Sequence, residues 1–267
     1  MLGWVFIKLI KMIIKKIRYY LKYLGLLGLA KRIIFKPYIF IRNKILERKI
    51  FSKTNPEEIF NEIYLTNYWD EKQSRSGKGS SLESTQTLRR ELPIILKKKK
   101  IYSILDIPCG DFYWFSKIIK NIDIDYTGAD IVEKIIIKNK AFENKKIKFK
   151  KLNIIEDKLP DADALFCRDC LFHLSYHDIE KTLKNFQNTN FKYYFITNHD
   201  LEEKKMENRD ISTGSFRFLD FHKKPFEFKK NYDEELYDKD FPETFIEKKI
   251  LIYSKKNFFQ NIYNYLK

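Results

Sequence analysis

Cysteine is scarce in this sequence, with only Cys109, Cys167 and Cys170 among 267 residues. An odd, sparse set does not form a disulfide framework and is typical of a reducing, cytosolic compartment. Cys167 and Cys170 have CxxC spacing, but a zinc site needs a second pair of ligands, and Cys109 belongs to a different strand end. No cluster of His and Asp has metal-binding spacing either. We therefore expect neither a redox pair nor a bound metal.

Long apolar runs are also absent. Lysines at positions 8, 11, 15 and 16 interrupt the first hydrophobic stretch before a secretory signal can form. The longest later stretch, residues 23–30, is far shorter than the roughly 20 residues that span a bilayer. The sequence thus predicts a cytoplasmic protein.

Acidic residues are nearly missing from the first 50 positions, which contain thirteen Lys and Arg and one acid, Glu47. Most of the formal net charge of +16 therefore lies there, and the rest of the chain is close to neutral. On a helical projection one stripe is basic, formed by Lys8, Lys11, Lys15, Arg18 and Lys22. The opposite face is apolar, formed by Phe6, Ile10, Ile13, Ile17, Tyr20 and Leu24. Residues 4–24 thus resemble a helix that binds an anionic membrane surface, or one that packs on the rest of the protein with solvated lysines.

Glycine-rich nucleotide motifs are lacking as well. Residues 74–81 read SRSGKGSS, but the Walker order of Gly, Gly-Lys and Ser or Thr is not met. The dinucleotide motif GxGxxG is absent. Residues 51–100 otherwise have helical patterning and form a lead-in to the region that follows.

From residue 101 onward, strand and helix patterns alternate. Predicted strands are 101–107, 126–131, 147–152, 164–167 and 193–197, with a later strand at 248–253 whose neighbour we do not place. Predicted helices are 114–120, 132–141 and 177–188. The pattern predicts an α/β fold, a Rossmann-like, doubly wound and mostly parallel sheet with an N-terminal helical extension. Right-handed crossovers would bring five strand ends to one edge of the sheet, with Asp106, Asp130, Asn153, Arg168 and Asn198.

The first strand ends in LDIPCGDFYW, residues 105–114, and the second in GAD, which places Asp130 twenty residues after Gly110. An acid at the first strand end can hold a cationic amine, and backbone amides at the following helix can approach a ligand. An acid at the second strand end can accept both hydroxyls of a ribose. The spacing predicts a nucleoside-like cofactor.

These motifs resemble those of class I S-adenosylmethionine (SAM)-dependent methyltransferases. The resemblance covers roughly residues 70–255 and includes SGKGSSLESTQTLRRELP, CRDCLFHLS and NRDISTGSFRFLDFHKKPF, blocks similar to a subfamily of bacterial surface-glycan and capsule clusters. Two motif glycines are replaced by Pro108 and Phe112, and Asn153 stands where many relatives have an acid. The resemblance implies SAM as cofactor, a catalytic domain over 101–267, an acceptor lid at about 200–235 and a cover contributed by 51–100. The residues that it implies for cofactor binding are Asp106, Pro108, Cys109, Gly110, Asp111, Asp130, Asn153, Ile154 and Arg168.

A hydroxyl acceptor must lose a proton during methyl transfer. His173 follows the fourth strand and has an imidazole suited to a general base, with Asp169 to orient it or act itself. Alternatively His173 only packs at a helix start, and His199 is a second base candidate. In the lid, Arg217 can bind a phosphate or carboxylate and Asp210 can bind sugar hydroxyls, while Trp114 and Phe216 can stack on a sugar or belong to the core.

The sequence thus predicts O-methylation of a saccharide or glycan precursor for cell-surface polysaccharide, at the inner face of the membrane. Alternatives are a nucleic-acid or other small-molecule methyltransferase and a non-catalytic, membrane-associated binding module. Nucleic acid is disfavoured because the turn after the fourth strand reads CRDC rather than an NPPY-like motif. The sequence does not specify the acceptor, the methylated position or the oligomeric state.

Overall fold

The computed structural model describes residues 41–202, 204–238 and 246–267. The chain divides into two compact units, Met1–Ser52 and Lys53–Lys267. In the first unit, residues 41–51 are helical. The predicted amphipathic segment 4–24 lies outside the described residues. Within the described ranges, no helix has the length and apolar character needed to cross a bilayer.

The second unit is built on a sheet of seven strands. The strands are β1 (Ser103–Asp106), β2 (Asp125–Asp130), β3 (Ile147–Lys151), β4 (Ala164–Cys167), β5 (Tyr193–His199), β6 (Glu234–Tyr237) and β7 (Lys248–Ser254). Their order is β3-β2-β1-β4-β5-β7-β6. Strands β1 to β5 pair in parallel, and β7 is antiparallel to both β5 and β6. The predicted mostly parallel, doubly wound sheet is confirmed, and β6 is the neighbour of β7 that the sequence pattern did not locate.

In the described part of this unit, six α-helices accompany the sheet: α1 (Pro56–Thr66), α2 (Gln86–Lys98), α3 (Phe115–Ile118), α4 (Glu133–Asn139), α5 (Tyr176–Gln187) and α6 (Lys255–Leu266). Local capping fixes where two of them begin. Asn55 accepts a hydrogen bond from the Glu57 amide at the start of α1, and Ser175 accepts one from the Asp178 amide at the start of α5. Short 3-10 turns extend α3 and α4 to nearly their predicted lengths.

Both faces of the sheet are covered, because neighbouring strand residues alternate between two apolar clusters. Ile104 and Phe166 pack with α2 and α3, whereas Leu105 and Leu165 pack with α5 and α6. All four side chains are at most 1% exposed. The sheet is therefore fixed on both faces, and its carboxyl edge remains for a site.

Candidate active site

A cavity of about 300 Å³ lies at the carboxyl edge of the parallel strands. Residues at the carboxyl ends of β1, β2 and β4 line it, among them Asp106, Asp130 and Arg168. Open α/β sheets bind ligands at this edge, and 300 Å³ is within the range of small-molecule sites. The structure thus brings the polar residues of three predicted strand ends together.

The turn after β1 requires glycine at position 110. Gly110 has φ +55°, and a Cβ there would lie 2.2 Å from Ser76 Oγ. The Ser76 hydroxyl in turn accepts a hydrogen bond from the Asp111 amide at 3.0 Å. The close approach of these two segments therefore excludes any side chain at position 110.

Asp111 holds the segment before α2 in place. Its carboxylate accepts hydrogen bonds from the Ser74 hydroxyl and the Arg75 amide, both at 2.9 Å. Asp111 does not line the cavity, although the sequence predicts it as a cofactor residue, while Arg75 and the residues through Ser80 do line it. The SRSGKGSS segment is thus a wall of the site, and the residue that holds it there is Asp111.

Asp130 is placed to bind hydroxyl groups. Its carboxylate accepts the Gly110 amide at 3.1 Å and the Val132 amide at 2.9 Å, one on each oxygen. Burial raises its pKa to about 6, although these two amides lower it. Each oxygen keeps a lone pair for a further donor, as binding of a diol requires.

Asp106, at the end of β1, is 3% exposed and accepts a hydrogen bond from the Tyr126 hydroxyl at 2.6 Å. Burial raises its pKa to about 7, despite that hydrogen bond and the charge of Arg168, which both lower it. A carboxyl group with this pKa gains from a cationic ligand, because the ligand's charge stabilises the ionised form.

An apolar wall lies beyond Asp130. It consists of Phe60 and Tyr64 from α1 with Val132 and Ile135, which pack together beside the cavity. Asn153 and Ile154, predicted to face an adenine, also line the cavity. The Asn153 side chain accepts the Ile155 amide at 3.0 Å and so fixes the turn after β3.

Four charged side chains form a network at the end of β4, and three of them, Arg168, Asp238 and Lys248, are buried. Arg168 donates to both oxygens of Asp238, at 2.7 and 2.9 Å, and to the Gly79 carbonyl at 2.8 Å. Lys248 contacts Asp169 at 2.8 Å and Asp238 at 3.0 Å. Burial raises the pKa of Asp169, but the charges of Arg168 and Lys248 outweigh it and hold the pKa at about 2. Asp169 therefore faces the cavity as a fixed carboxylate.

His173 lines the same cavity, from the 3-10 turn Leu171–His173. Its Nδ1 lies 2.8 Å from the Ser215 carbonyl oxygen. Because a carbonyl only accepts, Nδ1 carries the proton and Nε2 has a free lone pair in the neutral ring. Burial lowers its pKa to about 4, so this neutral form dominates at physiological pH.

The other base candidate lies outside the cavity. His199 is 4% exposed, and its Nδ1 accepts a hydrogen bond from the Leu219 amide at 3.2 Å. Burial lowers its pKa to about 3. The neighbouring strand-end residue Asn198 is also outside the cavity lining and bonds to Asp220 and to the Phe221 amide.

The predicted lid contributes little to the cavity. Of its predicted substrate residues, Arg217 is 1% exposed, donates to the Leu174 carbonyl at 2.7 Å and lies 4.9 Å from the Tyr176 ring centre. Asp210 accepts the Tyr176 amide at 2.7 Å, at the start of α5. Neither lines the cavity, whereas Phe216 and Trp114 do.

The cysteines are all free and buried. Cys109 and Cys170 line the cavity, as does Pro108, which follows a cis peptide bond. Among residues 41–202, 204–238 and 246–267 there is no group of His, Cys, Asp and Glu that could hold a metal ion.

Neither a protein-family model nor a curated protein sequence matches the chain. Solved structures do match. PigF with SAH superposes with a TM-score of 0.55 and 12% identity, covering 87% of this chain and 74% of PigF. Magnesium protoporphyrin IX methyltransferase (ChlM) from Synechocystis PCC 6803, with bound SAM, superposes with a TM-score of 0.52 and 11% identity, covering 75% of this chain and 97% of that one. The chain has the Rossmann-like, mostly parallel fold of the class I methyltransferases.

Proposed function

We propose that this chain is a SAM-dependent methyltransferase, of class EC 2.1.1, that methylates an oxygen of a saccharide or glycan precursor. One observation gives the main support for SAM as the cofactor. Two buried carboxyl groups with raised pKa values, Asp106 and Asp130, lie in one cavity at adjacent strand ends of a class I methyltransferase fold. A ligand with an ammonium group and a ribose diol supplies the partners that these carboxylates need.

The cavity residues fit this cofactor. Asp106 would bind the ammonium of its methionine part, with Gly110 and Pro108 beside it, and Asp130 would bind the ribose hydroxyls. The apolar wall of Phe60 and Val132, with Asn153 and Ile154, would hold the adenine. When bound, SAM supplies an electrophilic methyl group on a sulfonium.

His173 is the proposed general base. Its Nε2 would take the proton of the acceptor hydroxyl as the oxygen–methyl bond forms and the sulfur–methyl bond breaks, which leaves S-adenosylhomocysteine. Asp169, held ionised by Lys248 and Arg168, would accept a hydrogen bond and orient the acceptor rather than remove its proton.

The saccharide acceptor rests on the motif resemblance and on the aromatic and carboxylate groups beside His173. The fold itself does not determine the acceptor. We further propose a cytoplasmic location at the inner membrane face, with residues 4–24 as the contact. These parts of the proposal agree with a role in surface polysaccharide biosynthesis.

Calorimetric titration of the full-length protein with SAM tests the cofactor. We expect micromolar binding that weakens at least about 100-fold in Asp130→Ala, because two hydrogen bonds to a buried ionised group are lost, each worth about 1.5–3 kcal/mol. Asp125→Ala is the matched control, since Asp125 is exposed at the other end of the same strand. If the wild-type protein binds no SAM, the enzyme assignment fails and a non-catalytic module is favoured.

A further inference from the structure

Three aromatic rings line one end of the cavity. The Trp69 and His173 rings are 5.3 Å apart between centres, and the His173 and Phe216 rings are 5.9 Å apart. All three residues line the cavity, and Phe216 is 48% exposed although it is a large apolar side chain. Ring faces left open beside a general base suit an acceptor that is itself a ring.

A carboxylate lies beside these rings. Asp169 lines the cavity, and Lys248 Nζ contacts both of its oxygens, at 2.8 and 3.0 Å. Oδ1 can still accept a hydroxyl proton, because Lys248 uses one of its two lone-pair sites, whereas Oδ2 is also 3.0 Å from Arg168 Nη1. Aromatic faces together with a rigid carboxylate match the two kinds of surface on a sugar, its C–H face and its hydroxyl groups.

The charge at this end of the cavity disfavours a cationic acceptor. The two carboxylates Asp169 and Asp238 are balanced by two buried cations, Arg168 and Lys248. An amine would therefore meet a carboxylate whose charge is already compensated, at the cost of its own desolvation.

The segment of residues 74–81, which forms one wall of the cavity, adds positive charge near these rings. A Cβ placed on Gly77 would lie 3.5 Å from Trp69 Cβ, so the segment packs directly on this tryptophan. The next residue, Lys78, lines the cavity and is exposed. Arg75 also lines the cavity, and its Nη1 donates to the Tyr64 carbonyl of α1 at 3.3 Å. Arg75, Lys78 and Arg168 are the cations among the described residues that line the cavity, and of these Lys78 directly follows the glycine that packs on Trp69.

We propose that the acceptor is a phosphorylated sugar, with its ring against Trp69 and Phe216, a hydroxyl on Asp169 and its phosphate on Lys78. This inference rests on the proposed function, and it narrows the acceptor class from saccharides in general to sugar phosphates. It also assigns binding of the acceptor's phosphate to Lys78, in the segment before α2, whereas the sequence predicts that Arg217 and Asp210 bind the acceptor.

The test uses full-length protein saturated with S-adenosylhomocysteine, whose binding is first measured separately. The 1-phosphates of glucose, galactose and mannose and the matching methyl hexosides are then titrated by saturation-transfer NMR. We expect at least one hexose 1-phosphate to bind about tenfold more tightly than its methyl hexoside, since a charge-assisted contact contributes about 1.5 kcal/mol.

Two variants test which residues bind the phosphate and the sugar ring. Lys78→Gln should abolish the preference for the phosphate, and Trp69→Ala should weaken both kinds of sugar about tenfold. Tyr263→Ala, an exposed aromatic on α6, is the control and should change neither.

The outcomes separate the two proposals. Without S-adenosylhomocysteine binding, both fail. With it, the acceptor inference alone is overturned if no hexose 1-phosphate binds saturably or if the methyl hexosides bind equally well. It is also overturned if Lys78→Gln weakens the cofactor instead, because the lysine would then bind the cofactor's carboxylate.

Discussion

Asp106 and Asp130 show how a buried carboxyl group can be prepared for different partners. Asp130 has a backbone amide on each oxygen, which fixes its plane and orients the remaining lone pairs. Asp106 accepts a hydrogen bond from the Tyr126 hydroxyl, and with a pKa of about 7 it titrates near neutral pH. The first arrangement suits neutral hydroxyl donors, and the second suits a cation.

Cofactor affinity should therefore depend on pH through Asp106. Its pKa is raised in the free protein, so the carboxyl group is protonated below about pH 7, whereas a bound ammonium requires the ionised form. We expect the affinity for SAM to fall as pH is lowered, by up to about tenfold per pH unit below 7. Calorimetry at pH 6, 7 and 8 measures this dependence.

Asp106→Asn is the control for that experiment. The variant should bind SAM more weakly at pH 8 and respond less to pH, because the titrating group is gone. Any pH dependence that belongs to the ligand's own amine would persist in the variant. An identical affinity of the wild-type protein at pH 6 and pH 8 would contradict the assignment.

His173→Ala should reduce turnover about 100-fold or more, the range that general-base catalysis supplies, while SAM affinity stays within about twofold. Transfer of labelled methyl from SAM into a polar extract of cells measures turnover. His177→Ala is a matched control, because His177 is exposed on α5 four residues later. Equal turnover of His173→Ala and the wild type would leave His173 as a packing residue.

At the scale of elements, the β6–β7 hairpin brings the counter-charges to the site. Asp238 directly follows β6 and pairs with Arg168, and Lys248 begins β7 and pairs with Asp169 and Asp238. Residues 70 positions apart are thus joined by a fully buried ion pair. Such a pair contributes little net stability as a whole, but removal of one partner leaves an unpaired buried charge.

Asp238→Asn should accordingly lower the free energy of unfolding by about 3–5 kcal/mol, as measured by urea denaturation. Glu235→Gln, on strand β6 just before Asp238, is the control, since its pair with Lys249 is partly exposed and is worth about 1 kcal/mol or less. If both variants lose the same stability, the network does not hold the hairpin on the sheet.

The sequence predicted the elements whose signal is local. Buried parallel strands such as β1 and β4 are apolar runs, and α5 has helical periodicity with a serine cap, so their positions agree closely with the structure. Strand β6 was not placed because its four residues, EELY, are an edge strand with two acids. Its pairing is set by β7 and not by its own pattern.

The resemblance implied a cover from residues 51–100, but long-range contacts decide which of its residues reach the cavity. Residues 74–81 have part of the phosphate-loop pattern, and they are held at the cavity by Asp111, more than 30 residues later, and by Arg168, which donates to the Gly79 carbonyl. Arg217 has the chemistry of an anion-binding residue, but its guanidinium is buried on the Tyr176 ring. None of these tertiary contacts has a periodic or spacing signal in the sequence.

At the scale of the whole molecule, most of the excess positive charge and the cavity lie in different parts of the chain. Thirteen of the basic residues lie in the first 50 positions, and the cavity lies entirely in the second unit, Lys53–Lys267. A basic amphipathic segment gains about 1 kcal/mol for each Lys or Arg near an anionic bilayer and further free energy from its apolar face. Under the proposed function, this segment would hold the second unit at the membrane face where surface-glycan precursors are assembled.

Changing Lys8, Lys11, Lys15, Arg18 and Lys22 together to Gln should therefore release the protein from vesicles that contain phosphatidylserine, as measured by co-sedimentation. The matched control is a variant with five lysines of the second unit, Lys97, Lys117, Lys134, Lys145 and Lys181, changed to Gln, because it has the same net charge. That control should still sediment, and its binding should fall with added salt, since screening weakens the attraction to anionic lipid. Equal sedimentation of the wild type and the N-terminal variant would instead assign the basic face to solvent, and SAM binding by that variant would show that its second unit remains folded.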